Sequence, residues 1–218
     1  MSKTHGKIIP GLYFDLIKQN HMLIAGCTGS GKSVVINGMI SAIRALQPGS
    51  KLILIDPKRV ELVQYKRSWQ TVIYAAEKES IHKALLKAVV ITEKRYKYMQ
   101  LFRQKLYKGN DLYIFIDEFA DLMTTDKKRC KPLVQRLAQI GRAAKVHVIL
   151  ATQTPIAAII PTEIKCNFDS RLALRCRSAQ DSRNILGVNG AETLPHCGYG
   201  IYMTAAEFSK VKIPKITD

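Results

Sequence analysis

Eight consecutive residues, Gly26, Cys27, Thr28, Gly29, Ser30, Gly31, Lys32 and Ser33, have the types and spacing of a phosphate-binding loop, G-x-x-x-x-G-K-[ST]. Glycines let a short loop turn so tightly that successive backbone N–H groups point at one spot and form an anion-binding nest. Lys32 then reaches the β- and γ-phosphates of a nucleotide, here read as ATP, and the Ser33 hydroxyl ligates Mg²⁺. Cys27 reads as a small loop residue.

A second group of candidates follows the apolar run 112–116. Asp117 and Glu118 arrive together at the end of that run, where ligands bind in open α/β sheets. Asp117 suits the Mg²⁺ shell. Glu118 suits orienting or deprotonating an attacking water, a group that an ATPase needs and a P-loop kinase does not. Gln153, just after the apolar run 146–151, is a polar group able to sense the γ-phosphate or the water. Arg142 falls in a stretch, 131–145, read as a helix with an apolar stripe of Leu133, Leu137, Ile140 and Ala144. At about 100° per residue it points away from that stripe, so it is a candidate to reach a neighbouring subunit's ATP.

These groups need a scaffold, and the hydrophobic pattern supplies one. Short apolar runs at 21–25, 51–56, 71–74, 112–118, 146–151, 170–176 and 198–203 read as strands. Between them, 34–46, 77–107, 131–145 and 181–186 read as helices, the first with its N-terminus facing the phosphates. A small hairpin over 7–15 turns at Pro10-Gly11. Strand and helix alternate, so the expected fold is α/β with a mostly parallel central sheet flanked by helices. The expected organisation is one domain over 1–218, with a short N-terminal hairpin segment at 1–20. His147, inside an apolar run, reads as a core histidine. His196 and Cys197 lack partners at metal-ligand spacing.

Charge points to the partner. Thirty-four Lys and Arg against 17 Asp and Glu give +17 and a pI near 9.8, which favours a polyanion, with nucleic acid first. No run of 18 apolar residues is present, which argues against a membrane span. Five cysteines without a C-x-x-C pair fit a reduced, cytoplasmic protein. The strand at 170–176 carries outward basic residues, and Arg175, Arg177 and Arg183 are the candidates for contacting DNA.

The run 113–123 resembles the second nucleotide motif of the FtsK/SpoIIIE DNA translocases, and 136–155 is similar to the same family, as are Asp56-Pro57-Lys58, Asp181-Ser182-Arg183 and Gly190-Ala191-Glu192. The likeness runs from about 6 to 203. It implies a RecA-like motor domain that assembles as a ring, usually a homo-hexamer, around double-stranded DNA, with ATP between subunits. Arg142 matches the family's arginine proposed to act across that interface. The segments around Thr154 and at 179–183 correspond to its DNA-facing loops. The chain has Thr154 where the family commonly has Arg, and Ala179 where it commonly has Lys. The resemblance therefore implies a bare motor domain, stand-alone in the manner of a mobile-element protein or part of a longer chain, with membrane or conjugation machinery supplied by other chains. A DNA-stimulated ATPase that pumps DNA is the first expectation. A low-turnover DNA clamp or conjugation coupling adaptor, and a protein-secretion motor, are the alternatives.

Overall fold

The structure is a computed structural model that describes residues 6–9, 12–14, 20–205 and 207–213. Two short strands, β1 (Gly6–Ile9) and β2 (Leu12–Phe14), pair antiparallel with Gly6 opposite Phe14. The expected Pro10-Gly11 turn lies outside the described residues.

The central sheet has eight strands: β3 (Met22–Ala25), β4 (Lys51–Ile55), β5 (Thr71–Ala75), β6 (Leu112–Ile116), β7 (Val146–Thr152), β8 (Ser170–Leu174), β9 (Tyr199–Met203) and β10 (Phe208–Lys212). Their order is β10-β9-β8-β3-β7-β6-β4-β5. The six strands from β8 to β5 run parallel, while β9 and β10 are added antiparallel at one edge. β3, β6 and β7 are buried along their whole length. That is why they read as unbroken apolar runs: a parallel strand covered on both faces has no solvent side to mark with polar residues.

Helix α1 (Lys32–Leu46) covers one face, where Val35, Ile36, Met39, Ile40 and Ile43 pack on Met22, Ile24 and Leu54. The other face is covered by α2 (Lys78–Leu101), α3 (Phe119–Thr125), α4 (Lys127–Ile140), α5 (Thr162–Lys165) and α6 (Ala179–Leu186). Three expectations are corrected here. The long helix stops at Leu101, not near 107. Arg103 takes a left-handed conformation, φ 50°, and Gln104 N–H donates to Met99 O while Arg103 N–H donates to Gln100 O. This pair of bonds closes a helix end, normally with glycine at the left-handed position, and an arginine there gives no sequence cue. The helix expected at 131–145 instead spans 127–140, and α3 was not foreseen at all. Arg142 therefore lies beyond its helix, in a turn, and the helical-wheel reasoning does not apply to it.

Candidate active site

All six parallel strands end at the same edge, and every nucleotide candidate except Arg142 sits there. The loop from 26 to 31 is strapped at its start between two neighbours: Gly26 N–H donates to Thr152 O at 3.3 Å and Cys27 N–H to Arg175 O at 2.8 Å. Its second half turns through Gly29 and Gly31, φ 77° and 101°, left-handed values that a residue with a Cβ adopts only with strain. Gly31 caps α1 with no side-chain acceptor, so the first N–H groups of the helix are left without intrahelical partners and face the loop.

Lys32 leaves the first turn of α1 and lies buried against β6. Its Nζ stands 3.8 Å from Asp117 Oδ1 and 3.6 Å from Glu118 Oε2, and it donates to Asp117 O at 3.4 Å. Ser33 follows, half-buried, one position on. Asp117 and Glu118, each 2 % exposed, are brought to the same point by the end of β6.

Glu118 is held from four directions. Thr152 Oγ1 and Gln153 N–H donate to its Oε1 at 2.8 and 3.1 Å, and Lys58 Nζ donates to its Oε2 at 3.2 Å, with Lys32 beside it. Burial raises its carboxyl pKa, but the Lys32 charge, the Thr152 and Gln153 donors and Lys58 together hold it below the ordinary glutamate value. Gln153 also reaches the phosphate loop, because its Oε1 accepts from Thr28 Oγ1 at 2.8 Å. Gln153 thus ties the loop to Glu118. Lys58 and Thr152 were not singled out as site residues. Lys58 had a signal in the Asp56-Pro57-Lys58 run, while Thr152 looked like any strand-ending residue.

Asp117 is shifted the other way. Burial, opposed by Lys32 and reinforced by Glu61, Asp56 and Glu118, pushes its pKa up to about 6. Two buried oxygens here have no hydrogen-bond partner, Ser30 Oγ and Asp117 Oδ1. Buried polar atoms are ordinarily satisfied, so an acidic oxygen and a hydroxyl left open beside a lysine fit a ligand carrying phosphate and a cation. Among the described residues no three His, Cys, Asp or Glu side chains converge on a metal site. The residues therefore fit Mg²⁺, which takes one or two protein groups and completes its shell with phosphates and water.

The raised Asp117 value has a measurable consequence. Its folded pKa exceeds its unfolded one, so folded protein binds the extra proton between about pH 4 and 6 and loses stability as pH rises through that window. Asp117→Asn removes the cost of the buried charge. Thermal unfolding at pH 7.5 without nucleotide is expected to show a variant more stable than wild type by on the order of 2 kcal/mol. Metal-dependent nucleotide binding, measured by titration, is expected to be lost in the same variant. A variant no more stable than wild type at pH 7.5 would count against a buried, charged Asp117.

Arg142 lies at the opposite edge, where β6 and β7 begin. β7 has seven residues, about 20 Å of strand at roughly 3.3 Å each, between the Arg142 turn and Gln153. The turn is firmly built: Val146 N–H donates to Gly141 O at 3.0 Å, Lys145 has φ 52°, and Arg95 Nη1 donates to Ala144 O and Lys145 O at 2.7 and 2.9 Å. Arg142 itself is exposed and borders an open cavity of about 630 Å³ with Asp111, Lys145 and His147. His147 is buried, its ring nitrogens against Asn20 O at 3.1 Å and Asp111 Oδ1 at 2.8 Å.

The basic candidates lie around the end of β8 and on α6. Arg175 is half-buried just past the strand, and Arg177 and Arg183 are exposed. Arg183 is oriented by Asn189 Oδ1 at 2.7 Å and Gln180 Oε1 at 3.0 Å. The segment expected as a loop from 179 is the first half of α6, capped by Ser178, whose Oγ accepts from Asp181 N–H. Arg171, read as outward, turns inward and donates to the carbonyls of Lys165, Phe168 and Ile185.

A glycine-rich loop after β3, a lysine at the first turn of α1 and two acids at the end of β6 on a mainly parallel sheet define a P-loop ATPase of the RecA-like α/β type. A sequence profile of the FtsK/SpoIIIE family matches residues 10–113 and 104–157, and the chain belongs to that family. It is 37 % identical over 203 residues to the DNA translocase FtsK of Lactococcus lactis subsp. cremoris, covering 83 % of this chain and 27 % of that protein. The FtsK of Streptococcus pneumoniae is 39 % identical over 213 residues, 87 % of this chain and 28 % of that one. The chain thus spans about a quarter of the length of these relatives. Among solved structures, the pCW3 conjugation coupling protein TcpA with ATPγS superposes with a TM-score of 0.86 at 24 % identity, over 97 % of this chain and 66 % of that one. The Thermomonospora curvata type VII secretion ATPase EccC gives 0.79 at 23 % identity, over 93 % of this chain and 27 % of that one. These likenesses show a shared fold. Family and fold together make this a nucleotide-binding protein.

Proposed function

We propose that the chain is an ATP-hydrolysing motor domain that moves double-stranded DNA as a ring of identical subunits, with each active site completed by the neighbour's Arg142. The observation that carries the reading is the meeting of Lys32, Asp117, Glu118 and Gln153 at one strand edge while Arg142 is displayed about 20 Å away at the other. An arginine so placed has no access to its own phosphate loop and suits a partner's. Gly26, Cys27, Thr28, Gly29, Ser30 and Gly31 wrap the phosphates. Lys32 holds the β- and γ-phosphate oxygens, and Ser33 and Asp117 hold Mg²⁺. The metal, when bound, neutralises charge that builds on the transferring phosphoryl group. Glu118, kept ionised by its donors, accepts a proton from the attacking water, and Gln153 reports loop occupancy to it through Thr28. One domain over 1–218, working in the cytoplasm with membrane or conjugation machinery on other chains, is part of the same reading.

Arg175, Arg177 and Arg183 are the proposed DNA contacts, supported by the net charge of +17. Thr154 and Ala179, uncharged in the stretches that correspond to DNA-facing loops, favour a second reading of this site: a clamp or coupling adaptor with little turnover. Steady-state ATP hydrolysis with and without duplex DNA separates the two. Stimulation by DNA is expected, and a rate indifferent to DNA favours the clamp. Binding to duplexes of unrelated sequence is expected to weaken with salt, each phosphate contact adding about 0.9 to the log–log slope. Arg183→Ala is expected to lower that slope by about one contact, and a slope unchanged in the variant removes Arg183 from the interface.

A further inference from the structure

We propose that the nucleoside half of the nucleotide docks on the β8–β10 side of the phosphate loop, against the His196 imidazole, with Ile213 as the buried wall behind it. This deepens the nucleotide reading above and rests on it. The loop leaves β3, which lies between β7 and β8 in the sheet. The groups suited to the γ-phosphate end, Asp117, Glu118 and Gln153, all stand on the β7–β6 side. In a nucleoside triphosphate the base lies at the end opposite the γ-phosphate. With the phosphates wrapped by the loop, the base leaves on the far side from Glu118.

That side is prepared for an apolar, flat group. A side chain begun at Gly29 would lie 3.2 Å from His196 Nε2 and 3.6 Å from its Cε1, so the imidazole stands directly beside the turn of the loop. His196 is exposed there, on a chain that crosses from the 3₁₀ turn at Ala191–Thr193 to β9. Ile213, only 2 % exposed, reaches to 3.7 Å from where a Cβ on Gly31 would sit, and so covers the start of α1. Its N–H donates to Gly198 O at 2.8 Å, which fastens the His196 segment to the end of β10. An aromatic ring over an aliphatic wall at the mouth of a phosphate cradle is the surface on which a base stacks by its face. Stacking reads no base edge, so affinity rather than base choice is what His196 contributes.

Calorimetric titration separates this subsite from the cradle, using ADP and inorganic tripolyphosphate as the two probes. For His196→Ala, ADP affinity is expected to fall about tenfold, the order of one lost aromatic stacking partner, and His196→Phe is expected to restore it. Tripolyphosphate, which has no base, is expected to bind all three proteins equally. Unchanged ADP affinity in His196→Ala overturns the proposal. So does a parallel loss for tripolyphosphate, which would assign His196 to the phosphates or to loop shape. Wild-type protein that binds neither probe overturns the nucleotide reading itself, and the subsite with it.

Discussion

Arg142→Ala is expected to cut ATP turnover about a thousandfold while leaving nucleotide affinity close to wild type, because an arginine supplied across an interface stabilises the transition state of phosphoryl transfer by that order. The affinity is spared because the cradle, Lys32 and Asp117 belong to the other edge of the same chain. Wild-type turnover per subunit is expected to rise with protein concentration, and again when DNA assembles the ring. Mixing Arg142→Ala subunits with Lys32→Ala subunits is expected to restore part of the lost rate. Each variant alone lacks one half of every site, whereas a mixed interface joins an intact cradle to an intact arginine. The turn geometry adds a control. Arg95 holds the turn through the Ala144 and Lys145 carbonyls, so Arg95→Ala is expected to lower turnover with Arg142 still present. A rate independent of concentration and indifferent to Arg142→Ala would falsify the shared site.

Glu118→Gln is expected to bind ATP and hydrolyse it two to four orders of magnitude more slowly, the usual contribution of a general base. Glutamine keeps the shape and still accepts from Thr152 Oγ1 and Gln153 N–H, so the fold around it is preserved. It has no charge to draw a proton from water, and Lys32 and Lys58 lose the carboxylate they face. Single-turnover hydrolysis and nucleotide titration on the same preparation check both halves of the expectation. Hydrolysis near the wild-type rate in this variant would remove Glu118 from the water-activating role and leave Gln153 or a group from the neighbour to fill it.

The phosphate loop and the buried strands were legible because their signals are local. A left-handed glycine, a lysine at a helix start and an apolar run ending in Asp117-Glu118 are determined by residues a few positions apart. The elements that escaped were those whose ends are decided by contacts the local pattern does not carry. α2 stops at an arginine in a glycine's conformation, α3 is seven residues long, and β10 completes an antiparallel edge from a mixed polar stretch of which only Val211 is buried. His196 shows the same limit. Beside Cys197 it looked like a metal candidate without partners, and only folding brings it to Gly29, 167 residues earlier in the chain.

The amino-acid sequence by itself determined the class of chemistry, because the residues that wrap phosphate and end the β6 strand act through short-range backbone geometry. The tertiary structure alone decided what surrounds them. Lys58, Thr152 and Gln153 converge on Glu118 from three separate segments, and Arg142 is set a full strand length from its own loop. Parallel order across the sheet is the physical reason. It gathers the C-terminal ends of distant strands into one site and sends whatever precedes those strands, Arg142 included, to the opposite edge.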